Sequence, residues 1–113
     1  MTEEQELIYG LRRWLIKGTN YISNLSYEEF IDDEKSFDAT CFTSLMVSEI
    51  ASRLLKNNEQ FPLKNLKNPA ELKQNVFISD NIDMEFMYNF YKDEAPKIIL
   101  ELSGVIYLWK TKK

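Results

Sequence analysis

The sequence predicts an all-α fold, an antiparallel bundle of four or five helices. Apolar residues recur at steps of three or four along almost the whole chain, which is the spacing of a helix face. Thr2 with Gln5 and Ser26 with Glu29 each have the spacing of a capping box, which marks the start of a helix. The 113 residues are 44% hydrophobic and include only 3 Gly and 3 Pro, so we expect residues 1–113 to form a single domain with its own core.

The first half of the chain contains three of the predicted helices. The first runs from about residue 3 to 22, after the Thr2 box, and the second is a short turn over Tyr27–Ile31, after the Ser26 box. The third begins near Ser36 and ends at about Asn57. Its residues are apolar or small on nearly every side, which is typical of a helix in the middle of a bundle.

The second half contains a loop and two more helices. Residues 61–68 include Pro62 and are predicted to form a loop, and Pro69 suits the first turn of a helix over about 69–76. The last helix is predicted from about 83 to 109. Its apolar spacing continues through Pro96, so we expect one helix with a kink at this proline. The apolar or aromatic positions are 87, 91, 95, 98, 102, 105 and 109.

Composition excludes several classes of function. The chain has no histidine, which excludes Ser–His and Cys–His nucleophilic pairs and His-ligated metals, and Cys41 has no second cysteine to pair with. A net charge of −4 argues against general binding to nucleic acid or anionic membranes. The most apolar stretch, Ile98 to Trp109, contains Glu101 and is too short to span a bilayer. The N-terminus is acidic, unlike a signal peptide. We therefore expect a cytoplasmic protein that uses no metal or cofactor.

Two segments of the chain together resemble the HepT-like family of the HEPN superfamily. They are Leu25–Thr40 and Val47–Leu54, and shorter matches follow at Asp83–Tyr88 and Asp93–Lys97, so the resemblance covers about residues 5–108. HepT-like proteins are dimeric helical bundles of the HEPN type. Many are metal-independent ribonucleases, the toxin half of a toxin–antitoxin pair whose partner is a small nucleotidyltransferase. The resemblance therefore implies a HEPN-type bundle, a homodimer and a nucleotidyltransferase partner.

The chain departs from the family at the catalytic signature, an Arg followed by His and often Tyr. In that chemistry the His accepts the proton of the ribose 2′-hydroxyl, and the Arg stabilises charge on the phosphate. Counting back from Asp83 without gaps, the three signature positions fall on Leu72, Phe77 and Ser79. We therefore expect no catalytic residues at these positions.

Four charged residues remain as candidates for a cleft or binding site. Asp38, Glu49 and Arg53 share one face of the third predicted helix, and Lys73 lies in a locally basic segment. They fit a solvated helix face with a Glu49–Arg53 pair. Asp38, Glu49 and Arg53 also fit the cleft that the resemblance implies, where acidic and basic side chains line the dimer interface. The segment with Lys73 fits charge-steered contact with a partner or with an RNA backbone.

Three functions stay open on the sequence alone. The first is a HepT-like protein without ribonuclease activity, which binds a nucleotidyltransferase, or else RNA or a nucleotide. The alternative is an enzyme, a metal-independent RNA endonuclease of toxin type whose catalytic groups have moved to Glu49, Arg53 and Lys73. The third is an interaction bundle that has no role in a toxin–antitoxin system.

Overall fold

The computed structural model describes residues 1–57 and 65–111, and these residues are mostly helical. This confirms the all-α prediction. The helices are α1 Glu3–Ile22, α2 Tyr27–Asp32, α3 Glu34–Lys56, α4 Lys67–Ala70, α5 Leu72–Val76, α6 Met84–Asn89 and α7 Ala95–Thr111, with a π-helical turn at Phe90–Glu94 between α6 and α7. A hairpin of two very short strands, β1 Phe77–Ile78 and β2 Asn81–Ile82, precedes α6.

Both predicted capping boxes form. The Thr2 hydroxyl accepts a hydrogen bond from the Gln5 backbone N–H, and the Gln5 side chain accepts one from the Thr2 N–H, each at 3.1 Å. Ser26 and Glu29 make the same reciprocal pair at 3.1 and 2.9 Å. Each box occupies backbone N–H groups that would otherwise have no partner in the first turn, so α1 and α2 begin where the sequence predicts.

Helix α3 begins two residues before the predicted start at Ser36. Its N-cap is Asp33, whose carboxylate accepts a hydrogen bond from the Ser36 N–H at 3.1 Å. The same residue ends α2, because its own N–H donates to the Phe30 carbonyl at 3.2 Å. One residue therefore forms the whole corner between α2 and α3.

The predictions for residues 61–76 need two corrections. Residues 61–64 lie outside the described part of the chain, but Lys67 and Asn68 are helical rather than part of a loop. Pro69 permits this because N–H groups in a first turn need no helical partner. The single helix expected over 69–76 is two short helices, α4 and α5, separated at Glu71.

The hairpin at residues 77–82 has no counterpart in the predicted elements. Phe77 pairs with Ile82 and Ile78 with Asn81. Ser79 has a φ of 54°, in the left-handed region that residues other than glycine seldom occupy. Because each strand has two residues, the hairpin is too short to show alternating hydrophobicity.

The last predicted helix is one helical run from Met84 to Thr111, with the π-helical turn just before Pro96. In that turn the Ala95 N–H donates to the carbonyl of Phe90, five residues earlier. A proline has no N–H to donate, and its ring crowds the turn before it. The wider π turn at this point accommodates the proline, and such turns are a recognised cause of helix bends.

The three long helices pack antiparallel, with α1 between α3 and α7. Trp14 of α1 meets Phe42 of α3 edge to face, with ring centroids 5.7 Å apart. On the other side of α1, Tyr9 packs against Trp109 of α7. Arg12 of α1 donates a hydrogen bond to the Ser103 hydroxyl of α7 at 2.7 Å. Across residues 1–57 and 65–111, no helix combines the length and apolar character that crossing a bilayer requires. The most buried large side chains of the core are Tyr91, Phe30, Ile8, Leu11, Leu15, Leu54, Leu66, Leu72, Met87 and Leu102.

Candidate functional site

The candidate site is a groove between α3 and the two short helices α4 and α5. Ser48 of α3 fixes its width. The Ser48 hydroxyl donates to the Ala70 carbonyl at 2.7 Å and accepts a hydrogen bond from the Lys73 N–H at 3.2 Å. Ser48 is buried, so water does not compete for these bonds. They hold the junction of α4 and α5 against α3.

The groove has an apolar floor and a polar rim. Its volume is about 540 Å³. Phe42, Leu45 and Met46 of α3 supply the apolar surface, and the Phe42 side chain is 56% exposed. Phe42 and Leu45 are both exposed, so the floor is an apolar surface patch, and contiguous patches of this type mark interaction sites. The polar side chains that line the groove are Glu49, Lys73, Gln74, Ser48 and Ser52.

Two of the four charged candidates line this groove, and a third forms an ion pair with one of them. Glu49 and Lys73 line it from opposite sides. The Arg53 guanidinium lies 2.9 Å from the Glu49 carboxylate, which is the pair that the i, i+4 spacing predicts. Asp38 does not line the groove. It precedes Glu49 by eleven residues, which places it about 16 Å further along the α3 axis at 1.5 Å per residue.

The apolar floor extends onto α1. Trp14 and Phe42 pack edge to face, and the Lys17 ammonium lies 4.4 Å from the centre of the Trp14 ring. Both contacts keep the aromatic pair in place at the protein surface. The sequence analysis missed this part of the site. The one available sign was that α3 is apolar on nearly every side, so that some of its apolar side chains must face outward.

The three positions aligned with the family's catalytic signature do not share a site. Leu72 lies in α5 and is fully buried in the core. Phe77 is half-buried in β1, and Ser79 is exposed in the turn of the hairpin. Leu72 and Phe77 pack in and against the core, whereas the Ser79 side chain is exposed to solvent.

The buried Tyr91 hydroxyl and the half-buried Cys41 thiol of α3 are protonated at neutral pH. Burial raises the pKa of the Cys41 thiol to about 11, and the neighbouring Asp38 carboxylate adds to this shift. Burial also raises the pKa of Tyr91, although its hydroxyl is hydrogen-bonded to the Ser44 hydroxyl at 3.0 Å. Neither group is the thiolate or phenolate that a nucleophile needs.

A metal site is not formed by the side chains that the structure describes. Within those residues, no three His, Cys, Asp or Glu side chains lie close enough together to hold a metal ion.

Comparison of the chain with models of known protein families, with curated proteins and with solved structures found no match.

Proposed function

We propose that this chain is a catalytically inactive HepT-like protein with a HEPN-type bundle. It acts as a cytoplasmic homodimer in a toxin–antitoxin-like system and binds a small nucleotidyltransferase through the groove between α3 and α4–α5. The observation that carries the binding role is the exposed apolar floor of the groove, bordered by charged groups. The class of partner comes from the sequence resemblance.

The composition of the groove fits a protein partner. Protein interfaces combine an apolar centre with a polar rim, and they are enriched in aromatic residues, Met and Arg. Phe42, Trp14 and Met46 form such a centre, and Arg53 and Lys73 lie beside it. Phe42 is the expected anchor, because it is the most exposed large apolar side chain of the floor.

The absence of catalysis rests on the residues at the signature positions. Leu72 and Phe77 have no group that accepts a proton or holds a phosphate, and Ser79 lies in a separate turn. The whole chain contains no imidazole. The thiol of Cys41 and the hydroxyl of Tyr91 hold their protons at neutral pH, so they do not substitute for it.

One observation favours the alternative, a ribonuclease with relocated groups. Glu49 and Lys73 face the same groove, and Arg53 touches Glu49. In that reaction the Glu49 carboxylate would accept the 2′-hydroxyl proton, and the two cations would stabilise the charge on the phosphate. The groove therefore has the residue types for both functions, and an assay has to separate them.

Native mass spectrometry of the tagged protein, gently purified from its source cells, tests the partner. We expect a heteromer with a chain that peptide sequencing identifies as a nucleotidyltransferase. Phe42→Glu should abolish it, because the change places a charge on the apolar floor. Leu55→Glu is the matched control, since Leu55 is a 48% exposed apolar residue of the same helix that does not line the groove. A partner of another class, no partner, or a partner that Phe42→Glu retains would contradict the proposal.

An RNA cleavage assay tests the absence of catalysis. We expect RNA to be degraded no faster with the stringently purified wild-type protein, or with Glu49→Ala, than in buffer alone. Cleavage by the wild type that disappears in Glu49→Ala would overturn the proposal in favour of the relocated ribonuclease.

A further inference from the structure

The rim of the groove is positively charged, although the whole chain has a net charge of −4. Lys73 lines the groove opposite Glu49, and Glu49 is already paired with Arg53 at 2.9 Å. Lys17 borders the part of the apolar floor that extends onto α1. Within the part of the chain that the structure describes, neither Lys17 nor Lys73 forms an ion pair with a carboxylate. These four side chains are three cations and one carboxylate, so the rim attracts a partner with negative charge.

The backbone groups at the junction of α4 and α5 are already hydrogen-bonded. The Ala70 carbonyl accepts hydrogen bonds from the Ser48 and Ser52 hydroxyls at 2.7 and 3.4 Å, and the Lys73 N–H donates to Ser48 at 3.2 Å. An extended segment in the groove would need partners for its own N–H and carbonyl groups, and these are taken. A helix satisfies its own backbone and presents only side chains. The groove is therefore suited to a helix.

The floor has the length and spacing that a short helix needs. Phe42, Leu45 and Met46 lie at i, i+3 and i+4 on α3, and the charged pair Glu49 and Arg53 continues the same side of the helix. Phe42 to Arg53 is about 16 Å at 1.5 Å per residue, which is about three helical turns. An amphipathic helix that binds in such a groove places its apolar residues at i, i+3 or i+4, and i+7.

We propose that the groove binds an acidic amphipathic helix of the partner protein. The apolar side of this helix packs on the floor, and its Asp or Glu side chains lie opposite Lys17 and Lys73. A basic helix of the same apolar pattern is rejected, because like charges would face each other across the rim. This inference rests on the proposed function in one respect, the binding of a protein at the groove, and it specifies the segment that binds.

Photo-cross-linking in the source cells tests the proposal on the full-length chain. The photoreactive amino acid p-benzoyl-phenylalanine replaces Leu45, which is 39% exposed and lines the groove. After irradiation, mass spectrometry identifies the captured peptide. We expect a segment with apolar residues at helical spacing on one side and Asp or Glu beside them. The same amino acid in place of Leu55 is the matched control, and it should not capture this segment.

A charge reversal tests the role of the rim. Lys73→Glu should reduce the yield of the Leu45-position cross-link at least ten-fold, because it places a carboxylate opposite those of the partner. Lys97→Glu makes the same change in net charge at an exposed lysine of α7, away from the groove, and should leave the yield unchanged. Circular dichroism should show both variants folded, since both lysine side chains are exposed.

The sequence of the captured peptide separates this inference from the proposed function. A basic segment of a nucleotidyltransferase, or one without helical apolar spacing, would overturn the inference and leave the proposed function in place. An acidic amphipathic segment of another class of protein, lost in Lys73→Glu, would support the inference and contradict the proposed function. No cross-link at position 45, or a yield that Lys73→Glu does not reduce, would overturn the inference.

Discussion

Gly18→Ala should destabilise the protein, although replacing glycine by alanine inside a helix usually stabilises it. Gly18 lies inside α1, near its C-terminal end, and a Cβ at this position would overlap the ring of Tyr91. The ring has no room to retreat, because Tyr91 is fully buried and its hydroxyl is hydrogen-bonded to Ser44 of α3 at 3.0 Å. Gly18 therefore allows α1 to pack directly against the Tyr91 ring, which is itself held to α3 by its hydrogen bond to Ser44.

The expected change in the free energy of unfolding follows from one stabilising effect and two destabilising effects. Alanine in place of glycine stabilises a helix by about 1 kcal/mol. Forcing an extra methyl group into a packed core costs about 1–3 kcal/mol. If the ring shifts to make room, the hydrogen bond to Ser44 weakens, which costs about 0.5–1.5 kcal/mol more. We expect the free energy of unfolding to fall by about 0.5–3.5 kcal/mol.

Urea unfolding at low protein concentration, followed by circular dichroism, measures this change. Gly10→Ala and Gly104→Ala are the matched controls. A Cβ at Gly10 would lie 3.6 Å from the Ile50 side chain, an ordinary contact, and a Cβ at Gly104 would meet nothing. Both controls should raise the free energy of unfolding, by up to about 1 kcal/mol. If Gly18→Ala raised it as well, the packing of Tyr91 against α1 described above would be wrong.

Three further predictions concern α3 and its contacts. Ser48→Ala removes the hydrogen bonds to Ala70 and Lys73, so it should lower the free energy of unfolding by about 1–3 kcal/mol. It should also accelerate amide hydrogen exchange at Lys73, and an unchanged exchange rate would contradict this prediction. Because burial raises the pKa of Tyr91 above 10.0, the unfolded chain loses this proton first, and stability should fall as the pH rises above about 10. Tyr91→Phe should flatten that part of the pH profile, and an unchanged profile would refute the assignment. The Cys41 thiol, with its pKa raised from 9.0 to about 11, should react with iodoacetamide at about pH 8 roughly 100-fold more slowly in the folded chain than in urea, and equal rates would contradict its burial.

The long helices could be predicted from the sequence because local interactions determine where they begin. The Thr2 and Ser26 boxes are complete within four residues, and the apolar spacing then continues along each helix. The sequence predicts the start of α3 at Ser36, but the helix begins two residues earlier, because Asp33 ends one helix and begins the next. No rule of spacing distinguishes that dual role from an ordinary loop residue.

The region between α3 and α6 could not be predicted, because its structure depends on distant contacts. The Ala70 carbonyl accepts hydrogen bonds from the Ser48 and Ser52 hydroxyls of α3, at the point where the predicted single helix is interrupted. The hairpin turn depends on the left-handed conformation of Ser79, a residue that does not usually favour it.

The sequence predicts the charged side chains of the candidate site but not its apolar floor. Glu49 and Arg53 are one helical turn apart, so their pairing follows from the sequence. That Lys73 joins them depends on how α5 packs against α3. Phe42 looks like a core residue in the sequence, and only the packing of α3 against α1, α4 and α5 shows that it faces outward.

The π-helical turn at Phe90–Glu94 determines which way every later residue of α7 faces. Such a turn contains one more residue than an α-helical turn, so it shifts the phase of the helix that follows. Removing one residue from it would rotate α7 by about 100°, the angle between neighbouring residues of an α-helix. Leu102 and Ile106 would then leave the core, and the exposed Leu100, Tyr107 and Leu108 would turn with them. The length of this five-residue segment thus fixes the rotational setting of the whole C-terminal helix.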